Sequence, residues 1–183
     1  MSCLAKSQTA SVEKKMFGFS LGLFKAGFEY EPKLDRKWAL HTEIGLQRVS
    51  YTVESNNPDV KDRRGMITLP YIEVEPRFYY GLDRRTRLGK NTHNNSSNYF
   101  SLKTSYLAGN LPITNSDKTQ KIVPAIIFVP MFGIRRSFSK NFNYEFAFGP
   151  IGYQYNIFSD SKGCNCGHDG QVFQFEAKIG YNF

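Results

Sequence analysis

The stretch Gln171-Val172-Phe173-Gln174-Phe175-Glu176-Ala177-Lys178-Ile179-Gly180-Tyr181-Asn182-Phe183 decides the fold class of this chain. Phe173, Phe175, Ala177, Ile179, Tyr181 and Phe183 occupy alternate positions, with Gln174, Glu176, Lys178 and Asn182 between them. Successive side chains of a β-strand point to opposite faces, so this segment carries one aromatic–aliphatic face and one polar face along its whole length.

Six further stretches read as strands: 16–30, 38–53, 66–82, 99–110, 122–136 and 142–157. In 38–53, Leu40, Ile44 and Leu46 oppose His41, Glu43 and Gln47. In 66–82, Ile72, Val74, Phe78 and Tyr80 oppose Glu73, Glu75, Arg77 and Tyr79. Residues 99–110 set Phe100, Leu102 and Tyr106 against Ser101, Lys103 and Ser105, and 142–157 set Phe142, Tyr144, Phe146 and Phe148 against Asn143 and Glu145. Residues 122–136 are apolar on both faces, which leaves their phase unreadable. In 16–30 the apolar phase slips from Phe17, Phe19, Leu21 and Leu23 to Phe24, Phe28 and Tyr30, which reads as a bulge near Leu23–Phe24.

Composition agrees with strands that meet an apolar medium on one side only. The chain has 183 residues, 16 Phe, 11 Tyr and one Trp, yet its mean hydropathy is negative. That combination is wrong for a bundle of membrane helices and expected for a barrel, where alternate residues meet lipid. The longest apolar run, 122–134, is too short for a spanning helix and contains Pro124 and Pro130. The expected fold is therefore all-β: a single closed antiparallel up-and-down transmembrane β-barrel filling residues 16–183.

Seven strands are readable, but bacterial single-chain barrels have an even number, so eight are expected. The eighth is sought in 111–121, in 9–15, or upstream of the chain. Pro70, Pro76, Pro124, Pro130 and Pro150 fall inside predicted strands, where each removes a ladder donor. All five occupy even positions, which places them on the apolar side, beside bulges. Residues 1–15 read either as a flexible leader or as a signal-peptide remnant cut near Gln8; a lipobox ending at Cys3 is a third reading.

The segment Ile179-Gly180-Tyr181-Asn182-Phe183 resembles the closing strand of bacterial outer-membrane β-barrels. In that class the closing strand is read by the barrel assembly machinery, so the resemblance implies that Tyr181 and Phe183 are an assembly signal and that the chain resides in the bacterial outer membrane. Three further stretches are similar to small outer-membrane barrels of Bacteroidetes-type bacteria. They are Glu75-Pro76-Arg77-Phe78-Tyr79-Tyr80 leading into Arg84-Arg85-Thr86-Arg87-Leu88-Gly89-Lys90-Asn91-Thr92, then Asn94-Asn95-Ser96-Ser97-Asn98-Tyr99-Phe100-Ser101-Leu102-Lys103, and Gly133-Ile134-Arg135-Arg136. The resemblance implies a fold and a membrane, and brings no catalytic residues with it.

With the apolar faces toward lipid, His41, Glu43, Glu73, Glu75, Arg77, Lys103, Glu145, Glu176 and Lys178 point into the lumen. An eight-stranded barrel is only wide enough for side chains to fill, so these charges are expected to form a salt-bridged core that closes the lumen; a narrow channel is the alternative. A soluble lipid-binding barrel is a third reading, and it requires the aromatic face inside. His41 with Glu43 is the one His–carboxylate pair at strand spacing, but Ser50 lies on the opposite face and His93 and His168 sit in loops, so no catalytic residues are expected.

Cys164-Asn165-Cys166-Gly167-His168 offers three ligand atoms in five residues. A zinc or copper site would need a further ligand such as Asp160 or Asp169; a Cys164–Cys166 disulfide or two free thiols is favoured over metal, and no cofactor is expected. The net charge of +8 is concentrated in connections: Lys61, Arg63 and Arg64; Arg84, Arg85, Arg87 and Lys90; Arg135 and Arg136. No aromatic-studded basic platform accompanies them, so nucleic acid is not expected as a partner. Arg84, Arg85, Arg87 and Lys90 fit contacts with outer-membrane lipid or lipopolysaccharide phosphates, with a periplasmic partner as a second reading for 83–98. Counting back from the last strand puts 54–65, 111–121 and 158–170 on the extracellular side and 83–98 with the tight turns on the periplasmic side.

Overall fold

The computed structural model describes residues 10–53, 63–115, 123–157 and 170–183. In chain order the elements are β1 (Lys15–Gly22), β2 (Lys25–Pro32), β3 (Trp38–Val53), β4 (Arg63–Phe78), helix α1 (Leu82–Arg87), a 3-10 turn (His93–Asn95), β5 (Asn98–Leu107), β6 (Thr114–Asn115), β7 (Ala125–Ser137), β8 (Phe142–Asn156) and β9 (Gly170–Asn182). Every paired neighbour is antiparallel, and the ring runs β1-β2-β3-β4-β5-β7-β8-β9 before β9 returns to β1. Eight strands thus close on themselves into an up-and-down barrel. The two-residue β6 adds only a patch on β4, opposite Ile67 and Thr68, beyond the end of the β4–β5 ladder.

The eighth strand lies where one bulged strand was expected. Residues 16–30 form a hairpin, with Leu23 and Phe24 as a two-residue turn and Leu21 opposite Ala26. The phase slip at Leu23–Phe24 is the reversal of the chain, not a bulge. Neither other candidate supplies a strand of the wall. Within 111–121 only the β6 pair is extended among the described residues. Residues Ala10 and Val12 are buried beneath the barrel instead, and the Val12 amide donates to the Arg36 carbonyl at 2.9 Å.

Bulges accommodate two of the prolines. The β7–β8 ladder shifts register between Phe128 and Phe132, so Val129, Pro130 and Met131 face Gly149, Pro150, Ile151 and Gly152. One extra residue on β8 lets two donorless residues meet where no ladder bond is required. Pro76 falls where the β4–β5 ladder is interrupted between Val74 and Arg77. Pro124 precedes β7.

The outer face is apolar. Trp38, Phe78, Phe100, Phe132, Phe148 and Phe175 stand directly opposite one another in successive strands from β3 to β9, forming one aromatic row that winds around the wall. Ring centroids are 5.0 Å apart for Trp38–Phe78 and for Phe100–Phe132, the separation at which aromatic pairs attract. The inner face is charged, as described below. A soluble lipid-binding barrel would need the reverse arrangement, and that reading is overturned.

One place in the wall is low. β1 reaches only to Gly22, opposite Lys178, and β2 begins at Lys25, opposite Gln47. β9 continues to Gly170 and β3 to Val53 above them. On the side facing the hairpin, residues 170–177 of β9 and 49–53 of β3 have no ladder partner among the described residues.

Candidate functional site: the charged lumen and a basic cleft

All nine charged residues expected inside are buried within the barrel. Four more join them: Glu29 and Glu31 on β2, Arg135 on β7, and Lys25, whose side chain is 10% exposed at the hairpin end. Arg135 therefore belongs to the lumen and not, with Arg136, to the rim. Lys25, Glu29 and Glu31 were legible in principle, since they alternate with Phe28 and Tyr30 once the phase slip is read as a turn.

Strand register creates the electrostatic problem that this core resolves. Glu29, Glu43 and Glu73 stand directly opposite one another on β2, β3 and β4. Like charges at opposed positions repel unless cations stand between them. Lys178, from β9, donates to Glu29 at 2.7 Å and to Glu43 at 3.0 Å. Lys25 lies 3.3 Å from Glu73 and 2.8 Å from Glu176, and Lys103 lies 3.1 Å from Glu73 and in direct contact with Glu176. Tyr71 and Ser20 both donate to Oε1 of Glu43.

Nearer the chain termini, two guanidinium groups organise the remaining acids. Arg77 donates through Nε and Nη2 to Glu75 at 2.8 and 2.5 Å, and through Nη1 and Nη2 to Glu145 at 3.0 and 2.9 Å. Arg135 donates to Glu145 at 2.7 Å and to Glu31 at 2.8 Å. Tyr79 and Asn95 donate to Glu31 at 2.7 and 2.6 Å, Tyr99 to Glu145 at 2.8 Å, and Ser101 to Glu75 at 2.5 Å. Asn95 reaches the lumen from the β4–β5 connection because Asn94 and Asn95 adopt left-handed backbone conformations (φ 53° and 55°), which asparagine tolerates better than most residues. Leu82 of α1 and Tyr79 pack with Ala10, Val12 and Ala39 beneath this layer.

His41 sits at the centre. Its Nδ1 is 3.3 Å from Glu31 and its Nε2 is 3.4 Å from Glu43, with the Lys178 ammonium also 3.4 Å from Nε2. Two ligand-type sets converge here, Glu29–His41–Glu43 and His41–Glu73–Glu75. Their geometry is already served by cations: Lys178 bridges the first set, while Lys103 and Arg77 hold the acids of the second. A metal ion would have to displace them. His41 and Glu43 are deep in the lumen, and Ser50 projects outward on an exposed position, away from both.

Strand directions group the remaining features at two ends. The β2–β3 and β7–β8 turns, the β4–β5 connection and both described ends of the chain share one end; the Leu23–Phe24 turn and the strand ends at Val53, Arg63, Leu107, Ala125, Asn156 and Gly170 share the other. Cys164, Cys166 and His168 lie outside the described residues, as do Cys3 and Lys61. Tyr181 and Phe183 are on the outer wall, and the Phe183 amide donates to the Phe17 carbonyl at 2.9 Å.

Residues 83–98 read from the sequence as a basic, Asn/Ser-rich connection without a helix. Instead α1 occupies Leu82–Arg87 and ends at Gly89, whose positive φ of 63° terminates the turn. Arg84, Arg85 and Lys90 line a cleft of about 350 Å³ together with Arg136, Tyr80, Gly81, Leu88 and Asn98. Arg87 is exposed and is not part of its lining.

No family model matches the chain, and no curated protein matches it. The resemblance to Bacteroidetes-type barrels thus has no family match beside it. Among solved structures, the crystal structure of Acinetobacter baumannii CarO2 aligns at 11% identity over 92% of this chain and 97% of that chain, with a TM-score of 0.41. The barrel assignment rests on the closed strand pairing of this chain itself.

Proposed function

We propose that this protein is an integral barrel of the bacterial outer membrane, with a lumen closed by buried ion pairs, acting as a structural or interaction barrel that presents the loops of its hairpin end. The observation that carries this reading is the inverted distribution of side chains. Outward-facing Phe19, Leu21, Phe28, Ile44, Ile72, Phe146 and Ile179 are exposed, while Arg77, Arg135, Lys103 and seven glutamates are buried. In water such a wall would expose far more contiguous apolar surface than a soluble monomer carries; in hydrocarbon it is the favourable arrangement.

The height of the apolar zone supports the same reading. On β3 the outward residues run from Trp38 to Leu46 before Arg48 and Ser50 replace them. Eight steps of about 3.3 Å along a strand tilted by about 40° span roughly 20 Å, close to the apolar band of known membrane barrels. No helix among the described residues is long and apolar enough to cross a membrane, and strands meet that need here.

Detergent-extracted protein should migrate differently on SDS gels before and after boiling, and should give no discrete conductance steps in planar bilayers. Solubility in plain buffer with a heat-independent band would overturn the membrane reading, and stable unitary currents would overturn the closed lumen. One observation favours a narrow cation path as the second reading. The described lumen holds Glu29, Glu31, Glu43, Glu73, Glu75, Glu145 and Glu176 against only five permanent bases, Lys25, Arg77, Lys103, Arg135 and Lys178.

A further inference from the structure

The cleft beneath α1 has a composition that the structural role of the barrel does not require. Arg84, Arg85, Lys90 and Arg136 line it, and no carboxylate does. In the lumen, by contrast, the guanidinium groups of Arg77 and Arg135 are paired with acids. Here the guanidinium groups are held by neutral oxygens. Arg85 donates from Nε and Nη2 to the Asn91 carbonyl at 3.1 and 2.7 Å. Arg136 donates from Nη1 to the Arg135 carbonyl at 2.7 Å and from Nη2 to Asn98 Oδ1 at 2.5 Å. The acid on the same helix, Asp83, is engaged by Lys37 at 2.5 Å and Arg36 at 3.5 Å, outside the cleft lining. Two oriented guanidinium groups are thus fixed around one space whose lining, among the described residues, carries no carboxylate.

We propose that this cleft binds the phosphate of an anionic amphiphile, a phospholipid headgroup at the terminal-end rim of the barrel. Guanidinium groups offer paired N–H donors that match phosphate oxygens, and an ammonium adds a point charge beside them. The cleft also has apolar lips. Tyr80 and Leu88 line it and are 49% and 57% exposed, and Tyr80 and Asn98 lie two residues along the chain from Phe78 and Phe100 of the aromatic row. A phosphate seated between Arg85 and Arg136 can therefore direct its hydrocarbon toward the outer wall. This site differs from the one anticipated from Arg84, Arg85, Arg87 and Lys90: Arg87 drops out, and Arg136 arrives from β7.

The site rests on the membrane reading, and the experiment separates the two. Barrel refolded in maltoside detergent is titrated with short-chain phosphatidylglycerol, the corresponding diacylglycerol and inorganic phosphate. Binding is followed by native mass spectrometry and by the arginine Nε–H resonances. Phosphatidylglycerol is expected to bind and to shift the Arg85 and Arg136 signals, weakening with salt. Each basic residue near an anionic headgroup contributes roughly fivefold, so Arg85→Gln with Arg136→Gln should weaken binding about twenty-five-fold. Arg84→Gln with Lys90→Gln, which leaves β7 untouched, should show a comparable loss.

Equal affinity for diacylglycerol would overturn the phosphate contact. Equal affinity for inorganic phosphate would make this a free-phosphate site and overturn the lipid. No binding by a protein that shows the heat-dependent gel shift would overturn the cleft and leave the membrane reading standing. A protein that shows no such shift would fail the membrane reading itself.

Discussion

Arg77 on β4 and Glu145 on β8 meet across the lumen in a two-bond fork of 3.0 and 2.9 Å, although β5 and β7 lie between them in the wall. The pair joins parts of the ring that share no backbone ladder. It ties the barrel across its diameter, while the ladders tie it around its circumference.

Arg77→Ala leaves Glu75 and Glu145 buried with fewer cationic partners. Removing one member of a buried pair costs about 3–5 kcal/mol, against at most about 1 kcal/mol for an exposed pair. Urea titration of the unboiled gel band should show a loss in the first range. A loss below about 1 kcal/mol, accompanied by the appearance of conductance, would mean that water already fills this part of the lumen.

Gly133 is directly opposite Tyr99 in the β5–β7 ladder, and the Tyr99 ring lies over it where a Cβ would stand. The same Tyr99 hydroxyl donates to Glu145, and Arg77 stacks 4.5 Å from the ring centroid. Gly133→Val should displace the ring and loosen the ion pair beneath it. Overpacking of this kind costs about 1–3 kcal/mol. Combining Gly133→Val with Tyr99→Phe should cost less than the sum of the two single changes; strict additivity would show that the two residues are not coupled.

If the barrel sits in a membrane as proposed, the low wall at Leu23–Phe24 sets the upper edge of the hydrocarbon zone. Unpaired backbone groups are not tolerated against lipid, so residues 170–176 of β9 should stand at the aqueous interface. Amides there that point away from β8 should exchange at least about tenfold faster than those of 178–182, which pair with β1. Hydrogen exchange in detergent micelles checks this, and uniform protection along β9 would place a further segment against that edge.

Asp83 links α1 to the β2–β3 turn. The Lys37 ammonium that donates to its carboxylate holds Asp83 below the usual aspartate range. A carboxyl whose folded value is depressed stabilises above its unfolded value, near pH 4, and loses that contribution as pH falls through the lower folded value. Resonances of Lys37 and α1 should therefore change together below about pH 4, and Asp83→Asn should abolish the step. A step that persists in the variant would assign it to another group.

The reading from sequence went furthest where burial differs between the two faces of a strand. Ile72–Glu73–Val74–Glu75 and Ile179–Gly180–Tyr181 report their orientation locally, because period-two alternation is a property of neighbouring residues. It failed in informative ways where the deciding partner was distant. The slip at Leu23–Phe24 is equally a bulge or a turn until Leu21 is seen opposite Ala26, and with that choice went the inward direction of Lys25, Glu29 and Glu31. Residues 122–136 carried no phase at all, so Arg135 and Arg136 looked alike; one lies in the lumen and the other in the cleft.

Alternation and aromatic content determined from sequence that the chain is a barrel with a charged interior. Which acid meets which base was decided only by closure of the ring. Lys178 reaches Glu29 across 149 positions of sequence, and Arg135 reaches Glu31 across 104. Ion pairs of this kind depend on strand register around the barrel, and a residue's own neighbours in the chain carry no record of that register.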